Sequence, residues 1–479
     1  MLLIDGALVS GDAGTYAVRN PVRPDETVDA APSCSPDQLD DAVASARLAG
    51  AGWAATALPE RIEVVRRATL AAEAAVAEQD LAELLTREQG KVLQESIFDV
   101  GLPAFLAETY SELAPAALNP RRIHDEMGSS VVQARPRGVV AAVLPFNWPV
   151  SLMANKVVPA LIAGNTLVLK PPPTCPLALL EVVAAMGSVL PPGVINTVNG
   201  PDAGLGRALV AHPGIDMISF TGGVATGRSV LAGGAEHLNP VVLELGGNDP
   251  AILAPDVAVD ENLAGALAAA AFLTAGQVCM AIKRLYVPED RLADVVEALV
   301  VESDRSVVGD GLCEDTTMGP LHTAAGRDRL VGLLEEAEAA GAKVHRCGRV
   351  RPEDERGGGF VLRPAIVEGA PPDCALVREE QFGPALPVLT YRDLDEAVAR
   401  ANDTDFGLCA SVWSSDEELA AALADRLDAG TVFINNHGMF AVDVQAPFGG
   451  WKQSGLGREL GPEGLLEFTR SRTITNRTM

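Results

Sequence analysis

The sequence predicts an α/β fold, parallel sheet with helices on both faces. Three observations carry this. From Gly138, short continuous apolar runs alternate with helical stretches. A second block of the same alternation runs from about Asn248 to Asn435. Turn-rich loops follow the apolar runs at Leu144–Asn147, Lys170–Pro173 and Thr221–Gly223. Continuous apolar strands separated by helices are buried on both faces, and ligands bind beyond their carboxyl ends.

The elements follow in order. After a short extended start, two alanine- and leucine-rich amphipathic helices begin near Ser35-Pro36 and near Pro59-Glu60. The first start is a serine cap followed by proline at the first helical position. In the first alternating block, strands are expected at Val139–Val143, Thr166–Leu169, Val194–Val198 and Met217–Phe220. Helices are expected at Pro149–Leu161, Pro176–Val189, Asp202–Ala211 and Thr226–Ala235. In the second block, strands are expected at Ala251–Leu253, Arg284–Val287, Lys343–His345, Ala385–Leu389, Ala410–Trp413 and Val432–Ile434. Helices near Val259–Ala275, Thr323–Ala340 and Asp416–Leu427 separate several of these, and Gly357–Gly359 is a loop. The glycine pair Gly246-Gly247 marks the boundary between the blocks.

A chain of 479 residues suggests two or three domains at roughly 150 residues each. It is 48% hydrophobic but only 4% aromatic, so its core is aliphatic. The formal charge of −27 argues against nucleic acid and against an anionic membrane surface, both of which need clustered cations. Its plain consequence is solubility. Seven cysteines show no C-x-x-C spacing and no cysteine–histidine cluster, so no metal site is expected. An odd cysteine count fits a reducing compartment. The start has no cationic leader, and the apolar stretch Leu263–Thr274 is too short to span a bilayer. A cytoplasmic location is expected.

Several segments could carry chemistry. Asn147, between Pro145 and Pro149 after a buried strand, could present a fixed amide to an oxyanion. Turn chemistry alone explains it better. Lys170 ends a strand before Pro171-Pro172-Pro173 and could reach a ribose or phosphate, or simply be solvated. Phe220-Thr221-Gly222-Gly223 opens a helix whose amino terminus favours anions. The spacing is also that of a P-loop, but Arg228 stands where lysine should be, which demotes an ATPase reading. No G-x-G-x-x-G fingerprint occurs.

Glu244, a lone acid among apolar residues beside Gly246-Gly247, reads equally as a buried general base or an ion-paired acid. Cys279, in Gly276-Gln277-Val278-Cys279-Met280, is a nucleophile or a buried apolar cysteine. Glu380 and Phe382, before Gly383-Pro384, form either a clamp for a flat polar ligand or a strand-entry loop.

Taken together and in this order, Pro-Phe-Asn-Trp-Pro, Gly-Asn-Thr-Leu-Val-Leu-Lys-Pro, Phe-Thr-Gly, Leu-Glu-Leu-Gly-Gly, Gly-Gln-Val-Cys, Glu-Gln-Phe-Gly-Pro and Pro-Phe-Gly-Gly-Trp-Lys-Gln-Ser-Gly resemble the NAD(P)-dependent aldehyde dehydrogenase superfamily. The likeness runs to the terminal Glu467-Phe468-Thr469. It implies two doubly wound parallel-sheet domains plus a small β oligomerisation arm. The division would be a cofactor-binding domain (1–115 and 138–246), a catalytic domain (247–446) and the arm (116–137 and 465–479). Edge pairing through the arm implies a homodimer or homotetramer.

The resemblance also implies roles. Cys279 would attack an aldehyde, with the oxyanion held by Asn147 and the Cys279 backbone N–H. Glu244 would activate water to hydrolyse the thioester, which places the chain in the hydrolytic, non-CoA-acylating branch. Glu459 and Lys156 would relay protons. Leu144, Pro145, Phe146, Asn147, Lys170, Pro172, Pro173, Gly200, Gly204, Phe220, Thr221, Gly222, Gly223, Thr226, Glu244, Leu245, Gly246, Glu380 and Phe382 would hold NAD. Phe146, Met153, Val278, Met280, His437, Phe440 and Phe448 would line the substrate pocket, with Met439 beside them, favouring a medium-sized apolar or aromatic aldehyde.

Two departures leave NADP use open. Pro173 stands where many members carry a ribose-gripping acid, and Gly223 where a hydroxyl is common. Two readings remain beside the redox one: a cofactor-independent thioester or ester hydrolase, and a catalytically silent member with the same fold.

Overall fold

The computed structural model describes residues 1–477. Positions 478 and 479 of the expected arm lie outside the described residues. The first expected helix runs Pro36–Ala55 behind a reciprocal cap: the Ser35 hydroxyl accepts from the Gln38 N–H, and the Gln38 side chain accepts from the Ser35 N–H. The second runs Leu58–Glu78.

Two further helices follow, Leu81–Gln89 and Leu93–Ala117, which the sequence reading did not anticipate. Pro103 and Pro115 lie inside the latter and mask its pattern, because proline normally ends a helix. The extended start is also richer than expected. It holds two antiparallel hairpins, Leu2–Ile4 with Ala7–Val9 and Thr15–Asn20 with Arg23–Pro32.

The first sheet has six strands in the spatial order Gly455–Leu456, Val241–Glu244, Met217–Thr221, Val139–Val143, Thr166–Lys170, Ile195–Thr197. All pair in parallel except Gly455–Leu456, which comes back antiparallel from the far end of the chain. Thr166–Lys170 and Met217–Thr221 are buried at every residue, as a doubly covered sheet demands. From Val139–Val143 the chain steps outward twice, then returns to place Met217–Thr221 on the other side. Strand order therefore reverses between these two strands, and a crevice opens beyond their carboxyl ends. The loops after Val143 and Thr221 flank it.

The second sheet has seven strands in the order Lys343–Arg346, Ala365–Glu368, Ala385–Tyr391, Ile282–Pro288, Asp249–Leu253, Cys409–Trp413, Thr431–Ile434. Only the Lys343–Arg346 edge is antiparallel. Ala365–Glu368 is an addition to the expected set, as are the helices Leu292–Ser303 and Leu394–Asn402. The expected helix Val259–Ala275 is shorter, Glu261–Phe272, and is followed by a tight turn in which Thr274 and Ala275 are left-handed.

A third sheet joins Arg121–Asp125, Gly128–Pro136 and Thr469–Arg477, with every residue of Arg121–Asp125 exposed. Leu408, Cys409, Phe433 and Phe448 from beyond the glycine boundary pack into the same core as Val140, Met153 and Val157. The two large sheets thus share an apolar seam, and the site lies along it. Among the described residues, no group of three or more His, Cys, Asp or Glu side chains could hold a metal ion. No helix among them is long and apolar enough to cross a membrane.

Candidate active site

Cys279 sits in the loop between the left-handed turn and Ile282–Pro288. Glu95, on the proline-containing helix, holds that turn by accepting from the Thr274 N–H (2.9 Å) and hydroxyl (3.1 Å). Gly276 has φ +70°. A Cβ there would lie 2.4 Å from the Gly383 carbonyl oxygen, so only glycine passes. The half-buried thiol is pushed up to about 12 by burial, with Lys283 opposing the shift and Glu380, Asp249 and Glu244 adding to it. It is therefore a protonated thiol in this state, and a nearby cation or base must assist its ionisation.

Asn147, buried in the turn before Pro149–Ile162, donates one amide N–H to the Gln277 carbonyl oxygen at 2.9 Å. Its other amide N–H and the Cys279 backbone N–H have no acceptor among the described residues. They are the two donors an oxyanion at Cys279 would need.

Glu244 ends Val241–Glu244 and is 4% exposed. Neither carboxyl oxygen has a hydrogen-bond partner among the described residues. Burial pushes this carboxyl well above the usual range, and Glu459 adds to it, while Lys156 and Arg458 oppose it. A buried carboxyl left unpaired against the rule of satisfaction marks a group aimed at something absent. Behind it Lys156 and Glu459 form an ion pair in which neither side chain is more than 2% exposed.

Cys279 and Glu244 share a cavity of about 500 Å³ with Thr221, Ser151, Asn155 and Glu459. Its remaining wall is apolar: Leu152, Met280, Met439, Phe440, Val442, Val444, Phe448 and Leu460, together with Ile97, Phe98, Gly101, Leu102 and Phe105 of the proline-containing helix. Met280, Phe440 and Phe448 were expected there. The second group was missed with its helix, although the spacing of Phe98, Leu102 and Phe105 is that of one helical face. Four expected lining residues lie elsewhere. Phe146 stacks on His322 at 4.4 Å and faces the neighbouring groove. Met153 is fully buried in the core. Val278 packs under Trp148. His437 sits behind the loop, its Nε2 2.9 Å from the Met280 carbonyl oxygen. Met153, Val278 and His437 are taken up by packing or hydrogen bonding with neighbours, whereas Phe146 lines a different cavity.

On the other face of Cys279 lie two cavities that share Leu144, Phe220 and Thr226. The nearer, about 400 Å³, is lined by Pro145, Phe146, Asn147, Thr221, Gly222, Gly223, Leu245, Gly246, Glu380 and Phe382. The farther, about 490 Å³, holds Lys170, Pro173, Arg207 and Ser229. These residues fit a nicotinamide dinucleotide. Helix Val224–Ala235 starts at Gly223 without a side-chain cap, and a Cβ at Gly223 would meet open space, so its N–H groups are free to face a pyrophosphate. A Cβ at Gly246 would come within 2.2 Å of Glu380, which accepts from the Gly247 N–H at 3.1 Å. The glycine pair thus seats that carboxylate. Burial pushes the Lys170 amine down to about 8, and its only side-chain bond among the described residues is to the Pro171 carbonyl.

Four expected cofactor residues, Pro172, Gly200, Gly204 and Glu244, lie outside the groove. Pro172 lines neither cavity. Gly200 abuts Ser33 and Leu205. The Gly204 N–H is bound by Asp202, capping a helix. Glu244 faces the 500 Å³ cavity rather than the groove. Arg207 was missed, because a single exposed arginine on a short helix carries no sequence signal. It is exposed, with no hydrogen bond or ion pair among the described residues.

Comparison with known proteins gives a consistent neighbourhood. The signature of the aldehyde dehydrogenase family matches residues 8–474. Aldehyde dehydrogenase LUC3 of Fusarium sp is 37% identical over 92% of this chain and 92% of its own length. Geranial dehydrogenase of Castellaniella defragrans is 36% identical over 94% of this chain and 93% of its own. A mutant of aldehyde dehydrogenase C from Pseudomonas syringae, solved with NAD+ and octanal, superposes with a TM-score of 0.91 at 35% identity, over 99% of this chain and 96% of that one.

Proposed function

This chain belongs to the aldehyde dehydrogenase family, and on that premise we propose that it oxidises medium- to long-chain apolar aldehydes to carboxylic acids with NAD. The observation that carries the substrate class is the cavity above Cys279. Among the described residues its only acidic or basic lining groups are Glu244 and Glu459, so they offer no cation to a substrate carboxylate, and its walls are aliphatic and aromatic. The relatives named for geranial and solved with octanal support the same reading.

The residues act in sequence. The Cys279 thiol gives up its proton to solvent, the thiolate sulfur bonds to the aldehyde carbon, and the carbonyl oxygen takes up the π electron pair as an oxyanion. The free Asn147 amide N–H and the Cys279 N–H stabilise it. Bound NAD(P) supplies the acceptor for the hydride that leaves this carbon. Leu144, Phe146, Thr226, Glu380 and Phe382 would hold it against Cys279. Collapse of the oxyanion leaves an acyl thioester on Cys279. Glu244 takes a proton from water, whose oxygen attacks the acyl carbon and expels the thiolate. The Glu459–Lys156 pair behind Glu244 offers the proton a way out.

We assign residues 1–115 and 138–246 to cofactor binding, 247–446 to catalysis, and 116–137 with 465–479 to an arm that joins copies into a homodimer or homotetramer. The exposed strand Arg121–Asp125 supports the last assignment. The acidic charge and reducing-type cysteines support a cytoplasmic enzyme.

The test is absorbance of reduced nicotinamide with NAD or NADP and a graded aldehyde panel, without CoA. Octanal and geranial are expected to outrank acetaldehyde and succinic semialdehyde in kcat/KM. A preference for the semialdehyde would overturn the substrate class, and no reduction with any pair would overturn the activity.

A further inference from the structure

Five consecutive carbonyls around the nucleophile are each taken by a side chain. Asn147 donates to Gln277, and His437 Nε2 lies 2.9 Å from the Met280 oxygen. The other three converge on one ammonium. Lys283, 2% exposed, places its Nζ 2.6 Å from the Val278 oxygen, 3.2 Å from that of Cys279 and 3.5 Å from that of Ala281. Among the described residues no carboxylate pairs with it, and its three bonds all go to backbone carbonyls. A fully buried lysine is costly, and one satisfied by carbonyl dipoles alone places its whole charge in their midst.

Geometry gives this a consequence. Every described peptide bond is trans, so the N–H of Cys279 points opposite to the Val278 carbonyl. Because Lys283 holds that carbonyl, the Cys279 N–H faces away from Lys283 and stays unbonded.

We propose that Lys283 is a positioning residue for the nucleophile: by gathering the Val278, Cys279 and Ala281 carbonyls it aims the Cys279 N–H at the reacting oxygen and sets a fixed cation beneath the sulfur. This rests on Cys279 being the nucleophile. The other titratable groups facing Cys279 are Glu244 from the first sheet, Asp249 and Cys409 from the second, and Glu380 from its loop, with His437 behind Met280 and 3.7 Å from Asp249. Lys283 is the cation that opposes them.

The test uses the full chain with Lys283→Met and Lys283→Gln, each checked for NAD binding by fluorescence. Alkylation of Cys279 by iodoacetamide, followed by mass spectrometry between about pH 7 and pH 9, reads the thiolate without turnover. Lys283→Met is expected to slow alkylation about tenfold and lower the NADH burst rate at least as much, with KM for aldehyde within about threefold. Lys283→Gln, a neutral donor, is expected to recover part of the burst while alkylation stays slow. Alkylation at the unmodified rate in a folded Lys283→Met would overturn the proposal, as would a slow burst without slow alkylation.

Should both variants fail to fold, Asp249→Asn removes an opposing carboxylate and leaves the three carbonyls held by Lys283 in place. Faster alkylation is then expected, and an unchanged rate would overturn the charge argument. Absence of an NADH burst in the unmodified chain would count against the enzyme reading instead, and so is distinguishable.

Discussion

The Asn147 amide is 2.9 Å from the Gln277 carbonyl oxygen, two residues before Cys279. One bond therefore fixes the amide and steadies the nucleophile loop at the same time. Asn147→Ala is expected to lower kcat about a hundredfold or more, the usual cost of an oxyanion donor, while cofactor binding stays near normal. Stopped-flow burst rates and a cofactor titration separate the two.

Glu244 must be ionised to take a proton from water, and its carboxyl lies well above the usual range. Thioester hydrolysis is thus expected to rise with pH through that raised value and to fall below it. Glu244→Gln should remove this dependence and slow steady-state turnover about a hundredfold, while leaving a stoichiometric NADH burst. A lost burst would mean that Glu244 acts before hydride transfer.

Gly101 lines the substrate cavity, and a Cβ there would meet open space. Gly101→Leu should keep propanal turnover and lower kcat/KM for decanal about tenfold or more, by filling the far end. Equal losses for both would place the substrate tail elsewhere.

Arg207 and Lys170 share a cavity with Pro173 and no carboxylate. NADP is expected to bind alongside NAD. Arg207→Ala should weaken 2′,5′-ADP binding about tenfold, the loss of one charge-assisted contact, and leave 5′-AMP unchanged. Pro173→Glu should likewise weaken 2′,5′-ADP binding, by like-charge repulsion of the 2′-phosphate. Calorimetric titration reads both.

Lys156 and Glu459 are paired without solvent. Lys156→Met should cost about 3–5 kcal/mol of stability, because it strands a buried carboxylate. Adding Glu459→Leu should restore most of it while leaving turnover with an altered pH profile. Denaturant unfolding and pH–rate curves check the two halves.

Much of the fold was legible because its signals are local. The continuous apolar runs at Val139–Val143 and Thr166–Lys170 and the cap at Ser35 act within a few residues of chain. The helix Leu93–Ala117 was not, because its two prolines contradict the local rule and its stability comes from packing. In the candidate site, Cys279, Glu244 and Asn147 were singled out by motif alone. Arg207 and Lys283 were not, because a lysine or arginine in sequence does not show whether it meets solvent, a cavity or a set of carbonyls.

The sequence by itself determined the class: two alternating blocks, the glycine pair Gly246-Gly247 between them, and an ordered set of motifs bearing a thiol, an acid and an amide. Only the tertiary structure decided what those groups experience. It took His437 and Val278 out of the substrate cavity, put the helix Leu93–Ala117 into its wall, and surrounded Lys283 with carbonyls. The reason is that burial, dipole orientation and cavity shape arise between segments far apart in the chain, where no local pattern can register them.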